Sequence, residues 1–242
     1  MKAGRQISVI VTFLLFGQHY FGQTKSIFVP IHRNSSSYRA DTSFWYIIQN
    51  NNFLKAELPD LKKSIDSLHF RFSTDIQAVD IWTTNFQTFH GIFTNFTTSY
   101  HHDPYKLDPR PEAFFSSKSN LDEKTAKEIY NIFNSLSIFS IPTDSRILGW
   151  ESGNDGIEYL IEYSTPTNYS FKEYWTPYAY KKTIKEAALI DSLVQQLETN
   201  LQLAKKFKDF INTLPEGSYY AGDHGGLNII TTDKKAKKKK NK

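Results

Sequence analysis

The chain has 242 residues, of which 15% are aromatic and 22% charged, so it can build a packed core and wholesale disorder is excluded. It contains no cysteine, which excludes disulfides, thiol nucleophiles and thiolate metal sites. The net charge of +4 becomes −3 without the seven lysines after Asp233, and −5 for residues 24–233 once Lys2 and Arg5 are also left out. An acidic body lacks the basic face of a nucleic-acid groove, so no nucleic-acid partner is expected.

The first residues are typical of a secretory signal peptide. Lys2 and Arg5 give a positive start, and residues 7–16 form an apolar run of signal-core length that is too short for an ordinary spanning helix. We therefore expect a signal peptide over 1–22, no spanning membrane segment in the mature chain, and an exported protein, periplasmic or secreted. An uncleaved anchor or a cytoplasmic protein are the alternatives.

The remaining chain is predicted to form a single α+β domain over 24–233, followed by a lysine-rich tail over 234–242. Seven lysines in nine residues cannot build a core, so the tail is predicted to be disordered. The alternative is a tether to anionic headgroups, cell-surface polymers or nucleic acid.

The domain opens with two predicted helices. Residues 41–57 carry apolar residues at helical spacing behind Asp41 or Thr42 as the N-cap. Asp60 is expected to cap a short second helix. The residues expected to face inward from that helix are Leu61, Ile65 and Leu68.

A change to strand-forming residues follows. β-branched and aromatic residues predict strands over Gln77–Thr83 and over 87–100. The next segment, 101–111, contains three prolines and is predicted to be a loop.

Two longer helices are predicted in the second half. Asn120 and Glu123 have capping-box spacing before a helix over about 121–139. A long helix is expected over about 183–214. Its apolar stripe is Ile190, Leu193, Val194, Leu197, Leu201, Ala204 and Ile211. A last strand is expected either through Tyr219 and Tyr220 or over 227–231.

Between these helices the sequence alternates with a period of two on both sides of Pro166, which predicts a β-hairpin. A fold about Pro166 pairs Tyr163 with Tyr169 and Ile161 with Phe171, and all four lie on one face. The other face is then expected to carry Glu158, Leu160, Glu162, Ser170, Lys172 and Tyr174.

This polar face is the candidate ligand site. Two glutamates and a lysine suit polar recognition, and Tyr178 and Tyr180, just past the hairpin, are aromatics that could stack on sugars or peptides. The candidate ligand-binding residues are Glu158, Glu162, Lys172, Tyr174, Tyr178 and Tyr180. The alternative is a wet sheet face with ordinary cross-strand charge pairs.

The candidate metal site is His101-His102-Asp103 in the predicted loop, because imidazole and carboxylate suit zinc or another divalent ion. Exposed loop histidines are the alternative reading. The sequence has no G-x-S-x-G, G-x-G-x-x-G or Walker motif. No catalytic residue and no cofactor are therefore predicted.

A further pattern combines the proline break at Pro142, the Asp155-Gly156 turn, an apolar strand ending at Glu162 and the triplet Trp175-Thr176-Pro177. Over about residues 120–205 it resembles a family of uncharacterised exported bacterial proteins. The resemblance implies no assigned function, so it transfers no catalytic residue.

Together these patterns predict an α+β fold in which a twisted antiparallel sheet packs against two main helices. The predicted function is an exported, non-catalytic binding or interaction module for an unknown ligand or protein of the bacterial envelope. The alternative is a metal-assisted hydrolase that uses the His101-His102-Asp103 loop.

Overall fold

A computed structural model of the protein describes residues 25–33, 40–101, 110–151, 153, 155–223 and 227–232. Its strands are β1 (Ser26–Phe28), β2 (Ile31–Arg33), β3 (Ala40–Thr42), β4 (Leu68–Ser73), β5 (Gln77–Thr83), β6 (His90–His101), β7 (Arg110–Leu121), β8 (Glu158–Ser164), β9 (Asn168–Trp175), β10 (Gly217–Asp223) and β11 (Leu227–Thr232). Its α-helices are α1 (Phe44–Lys55), α2 (Glu123–Ser135), α3 (Pro177–Tyr180), α4 (Lys185–Leu201) and α5 (Leu203–Thr213). Within these described ranges, no helix combines the length and the apolar character that a membrane crossing requires.

One nine-stranded sheet dominates the fold. Its order is β1-β9-β8-β4-β5-β6-β10-β11, and β7 also pairs with β6. Its strand pairs are antiparallel except that β1 runs parallel to β9. The long strand β6 pairs with β5 through its first half and with β10 through Ser99 and Tyr100. This mostly antiparallel sheet with separate helices confirms the α+β prediction.

Helices α2 and α4 cover one face of the sheet, which we call the helix face. In α2 the buried residues Ala126, Ile129 and Phe133 recur at helical spacing. The Phe133 ring lies 4.3 Å from that of Phe70 in β4. Burying each such side chain contributes roughly 1.5–3 kcal/mol, so this contact is part of the main core.

The opposite face lies under α1, and we call it the α1 face. This helix begins at Phe44, and its N-cap is Ser43, whose hydroxyl accepts a hydrogen bond from Tyr46 N. The predicted caps Asp41 and Thr42 are therefore wrong, because both belong to β3. The helix buries Phe53, whereas Phe44 is 65% exposed.

Several predicted boundaries are also wrong. Asp60 caps only a single 3-10 turn, Ile65 is 90% exposed, and Leu68 begins β4. Asn120 lies in β7, and Asp122 caps α2 by accepting a hydrogen bond from Thr125 N. The reason is that β7 hydrogen-bonds along β6 almost to the start of α2, so the strand extends through the expected cap.

The predicted long helix is two helices. Gln202 has a φ of 53° and separates α4 from α5. The left-handed residue ends the first helix with Gln202 N bonded to Glu198 O. It also changes the direction of the apolar stripe, so Leu203 is buried and Ala204 is exposed.

The hairpin of β8 and β9 forms, but its predicted register is wrong by one residue. Tyr163 pairs with Ser170 and Ile161 with Lys172. The reason is the turn, in which Thr165 N donates to Asn168 O across two central residues. A two-residue turn centres the hairpin between Pro166 and Thr167, and a shift of one residue reverses the faces of one strand relative to the other.

Other predicted segments are only partly described. The strand prediction over Gln77–Thr83 is confirmed, and both alternatives for the last strand are strands, β10 and β11. In the predicted loop over 101–111, His101 ends β6 and Arg110 begins β7. The predicted signal peptide, the middle of that loop and the lysine tail lie outside the described residues.

Candidate functional site

The structure does not bring the predicted ligand residues onto one face. Because of the register shift, Glu158 and Glu162 lie on the α1 face of the hairpin, whereas Lys172 and Tyr174 lie on the helix face. The expected wet face is absent from this part of the sheet. Glu162 is 3% exposed, Lys172 6% and Tyr174 0%, because helices cover both faces.

The two glutamates have different surroundings. Glu162 accepts hydrogen bonds from Arg71 Nη1 at 3.1 Å and from the Tyr169 hydroxyl at 2.7 Å. Glu158 Oε1 is buried without a hydrogen-bond partner among the described residues. Burial raises the pKa of Glu158 well above its ordinary value, and the nearby carboxylates of Asp144 and Glu173 raise it further.

Lys172 and Tyr174 bind main-chain carbonyls. Lys172 Nζ donates to Phe139 O at 2.8 Å and to Ile141 O at 2.6 Å, and the Tyr174 hydroxyl donates to Ile141 O at 3.1 Å. Burial lowers the pKa of Lys172 to about 8. Both side chains thus fix the segment after α2 to the sheet, which is a structural role.

The two tyrosines beyond the hairpin also differ. Tyr178 is 69% exposed and lies under Lys181 Nζ, 4.0 Å from its ring centre. Tyr180 is partly buried against Trp150 and Trp175, and its hydroxyl donates to Glu151 O at 2.8 Å. Only Tyr178 therefore offers the exposed ring that stacking on a sugar or peptide would need.

The predicted metal residues cannot be placed as a set. His101 ends β6, and its side chain is not described; His102 and Asp103 lie outside the described residues. Among the side chains that the structure does describe, no three His, Cys, Asp or Glu are grouped so as to hold a metal ion.

A large cavity lies elsewhere, on the helix face at one end of the sheet. It has a volume of about 710 Å³. The turn between β4 and β5 and the start of β8 form one side, α4 and α5 another, and β10 and β11 a third. Its apolar lining is Phe72, Ile76, Ile157, Tyr159, Val194, Leu203, Ala204, Phe207, Ile211, Leu214, Ala221 and Ile230.

Polar side chains line the same cavity, among them Asp75, Gln77, Glu198 and Lys208. Glu198 and Lys208 are exposed, which places the mouth of the cavity beside α4 and α5. Burial raises the pKa of Tyr159 to about 12, with further contributions from the carboxylates of Asp191, Asp75 and Glu198. Two of the residues that line the cavity, Asp75 and Glu198, are therefore carboxylates close enough to act on Tyr159.

Hydrogen bonds hold the cavity walls in place. The Tyr220 hydroxyl of β10 donates to Asp75 Oδ2, and Thr97 Oγ1 of β6 donates to Tyr220 O at 2.6 Å. Gln77 Nε2 donates to Leu203 O at 2.8 Å and so ties β5 to the start of α5. Ala204 N, in the first turn of α5, donates to the carboxylate of Glu198, with both oxygens within 3.3 Å. The Glu198 side chain thus satisfies a main-chain N–H at the start of α5.

The sequence analysis missed this cavity for an identifiable reason. The apolar stripe predicted for one continuous helix left out Leu203 and Phe207, and the break at Gln202 turns both of these side chains inward. The apolar spacing of Leu203, Phe207, Phe210 and Leu214 is regular and would have identified α5 as a separate amphipathic helix.

Comparison with known proteins identifies no relative of this chain. No protein-family model matches the sequence, and no curated protein or solved structure is significantly similar to it. The resemblance to uncharacterised exported proteins therefore stays an expectation.

Proposed function

We propose that this protein is a non-catalytic binding module that takes a small, mostly apolar molecule into the cavity of about 710 Å³. The cavity carries this proposal, because small-molecule sites are usually concave, mainly apolar and about 300–1,000 Å³ in volume. Its walls combine large apolar side chains with a few polar groups, which is the usual composition of such a site.

The polar lining narrows the class of ligand. Asp75 and Glu198 offer carboxylate oxygens, which accept hydrogen bonds, and Tyr159 lines the same cavity. A ligand with an apolar body and a hydrogen-bond donor at one end complements this arrangement. Lys208 at the mouth would then contact whatever part of the ligand remains exposed.

Export is a part of the proposal that rests on the sequence alone. Lys2, Arg5 and the apolar run over 7–16 are typical of a secretory leader. An exported module would meet its ligand in the bacterial envelope or outside the cell. Detection of the processed chain in a periplasmic or culture fraction tests this part separately from ligand binding.

The binding test uses the fluorescent probe N-phenyl-1-naphthylamine, an apolar molecule with a single N–H donor. We expect saturable binding with enhanced fluorescence. Ala204→Trp places a large ring in the lining and should weaken binding by about tenfold or more, since the lost apolar contact is worth at least about 1.4 kcal/mol.

Lys205→Trp is the matched control, because Lys205 is the next residue on α5, is exposed and does not line the cavity. It should bind the probe as the unaltered protein does. Equal affinity of the Ala204→Trp and Lys205→Trp variants, or no saturable binding at all, would rule out this cavity as the site.

A further inference from the structure

The last strand of the sheet leaves one edge open. Strand β11 pairs with β10 on one side, and on its other side the described residues supply neither a strand nor a main-chain hydrogen bond. Ile229 and Ile230 of β11 are 37% and 40% exposed. In an antiparallel pair, every second residue points its N–H and C=O away from the partner strand, so β11 has main-chain groups available for a further strand.

The larger cavity runs along this edge. Ile230, Thr231 and Thr232 all line it, although successive side chains of a strand point to opposite faces of the sheet. A cavity over one face of β11 would be lined by every second residue, so lining by three in succession places the cavity at the edge of the strand. The turn over residues 74–77 and Ile157, just before β8, form another side of the cavity. The cavity is therefore a groove that an open strand edge borders.

A second, smaller cavity of the sheet has no such edge. It lies on the α1 face, has a volume of about 230 Å³, and is lined by His69 in β4, Trp82 in β5 and Ile92 in β6, among others. Each of these three strands is paired on both sides. An incoming chain therefore finds main-chain groups to pair with beside the larger cavity and not beside the smaller one.

We propose that the ligand of the larger cavity is an extended peptide segment that adds to β11 as a further strand. This inference rests on the proposed function, because it names the class of ligand that the same cavity takes. The main-chain N–H and C=O groups of the peptide pair with those of β11, and every second side chain of the peptide enters the cavity. A molecule without a peptide main chain can fill the apolar space but leaves the strand edge unpaired.

The lining specifies the side chains of the peptide. Phe207 and Ile211 of α5 belong to the apolar wall, so apolar residues are favoured at the alternate positions that enter the cavity. The charged lining consists of Asp75, Glu198 and Lys208, in which acids outnumber bases, so a lysine at one end of the peptide is complementary. Glu198 is exposed at the mouth of the cavity, where the ammonium group of that lysine can reach it without being buried.

The test uses the peptide acetyl-KVTVTV-amide, which is titrated into the full-length protein by isothermal calorimetry. Two further peptides carry two N-methyl groups each, either on the first two valines or on both threonines, so they have the same composition and charge. Because the N–H groups of alternate residues point to opposite edges of an extended chain, only one of these peptides keeps the donors that face β11. We expect their affinities to differ by about tenfold or more, since one of them loses two hydrogen bonds.

Two variants check the location. Ile230→Lys places a charge in the apolar lining beside the strand edge, and it should weaken binding of the unmethylated peptide by about tenfold or more. Ile229→Lys is the matched control, because it makes the same chemical change at the neighbouring residue, which has nearly the same exposure and does not line the cavity. It should bind the peptide as the unaltered protein does.

The probe N-phenyl-1-naphthylamine separates this inference from the proposed function. Saturable binding of the probe without binding of the unmethylated peptide would overturn the inference and leave the proposed function standing. Equal affinities of the two N-methylated peptides, or of the Ile230→Lys and Ile229→Lys variants, would also overturn the inference. Peptide binding with the expected differences, but without binding of the probe, would support the inference and rule out a small apolar molecule as the ligand.

Discussion

Arg71 Nη1 lies 3.1 Å from Glu162 Oε2 across the β4–β8 pair, and both side chains are almost completely buried. The same guanidinium contacts Asp80 on its other side and stacks 4.2 Å above the ring of Phe53. Burial raises the pKa of Glu162 while Arg71 opposes the rise. Burial also acts to raise the pKa of Asp80, but Arg71 and the His69 hydrogen bond bring it below its ordinary value. One arginine thus compensates two buried acids.

We expect Arg71→Met to destabilise the fold by about 3–5 kcal/mol, because it leaves the carboxylates of Asp80 and Glu162 buried without their cation. Urea unfolding followed by tryptophan fluorescence measures the change. Lys205→Met is the control, since Lys205 and Asp209 form an exposed pair worth at most about 1 kcal/mol. A cost for Arg71→Met no larger than that of the control would contradict the role of Arg71.

Lys172 should make stability rise with pH. Burial lowers the pKa of Lys172 to about 8, whereas the pKa of an unfolded lysine is about 10.4. Between these values the unfolded chain binds the proton that the folded chain has released, so the free energy of unfolding increases with pH. From about pH 7.5 to about pH 9.5 the expected gain is about 2 kcal/mol.

The measurement is the difference in unfolding free energy between the unaltered protein and Lys172→Met at each pH. Other titrating groups are common to both proteins and cancel in this difference. The range ends below about pH 10, where unfolded tyrosines begin to ionise and the raised pKa values of Tyr159 and Tyr174 act in the opposite direction. A difference that stays constant with pH would show that Lys172 is not desolvated.

Gly156 should not tolerate a side chain. A Cβ atom there would lie 2.1 Å from Thr176 Oγ1 and 2.6 Å from Trp175 Nε1. Thr176 Oγ1 accepts the hydrogen bond from Ile157 N that begins the hairpin. We therefore expect Gly156→Ala to cost about 1–3 kcal/mol through overpacking.

Thermal unfolding measures this cost, and the emission of Trp175 reports the displaced indole. Gly217→Ala is the matched control, because the nearest atom to its Cβ would be the Tyr219 hydroxyl at 3.3 Å. If both substitutions lower the melting temperature equally, the close approach at Gly156 is not the cause.

Gln202 offers a stabilising substitution. Its φ of 53° is favourable for glycine and strained for a residue with a Cβ atom. We expect Gln202→Gly to raise the unfolding free energy by about 0.5–1 kcal/mol after the greater freedom of unfolded glycine is included. Gln202→Ala keeps the Cβ atom and should show no gain. If Gln202→Ala raises the unfolding free energy as much as Gln202→Gly does, the strained φ of Gln202 is not the cause of the gain.

The sequence was most informative where neighbours along the chain decide the structure. The β-branched and aromatic run of β5 predicts its bounds, and the turn-forming residues around Pro166 predict a hairpin. In contrast, β7 carries three serines and a lysine, and it is a strand because β6 pairs with it over most of its length. The sequence of β7 alone therefore does not predict a strand, because its conformation depends on pairing with β6.

The buried charges of the sheet were likewise only partly predictable from the sequence. The segments Phe70-Arg71-Phe72 and Val79-Asp80-Ile81 each place one charge in an apolar strand, and this signal of a buried ion pair was present in the sequence. Which charges meet depends on strand order, because β8 supplies Glu162 from 91 residues away.

Composition and local periodicity are enough to specify the α+β class, the absence of disulfides, the acidic body and the presence of a β8–β9 hairpin. The hairpin register, the helix break at Gln202 and both cavities became visible only in the folded chain. The register depends on whether the turn has one central residue or two. The cavities depend on contacts between segments that are far apart in the sequence. A shift of one residue reverses which face of a strand is buried, and no local pattern encodes that choice.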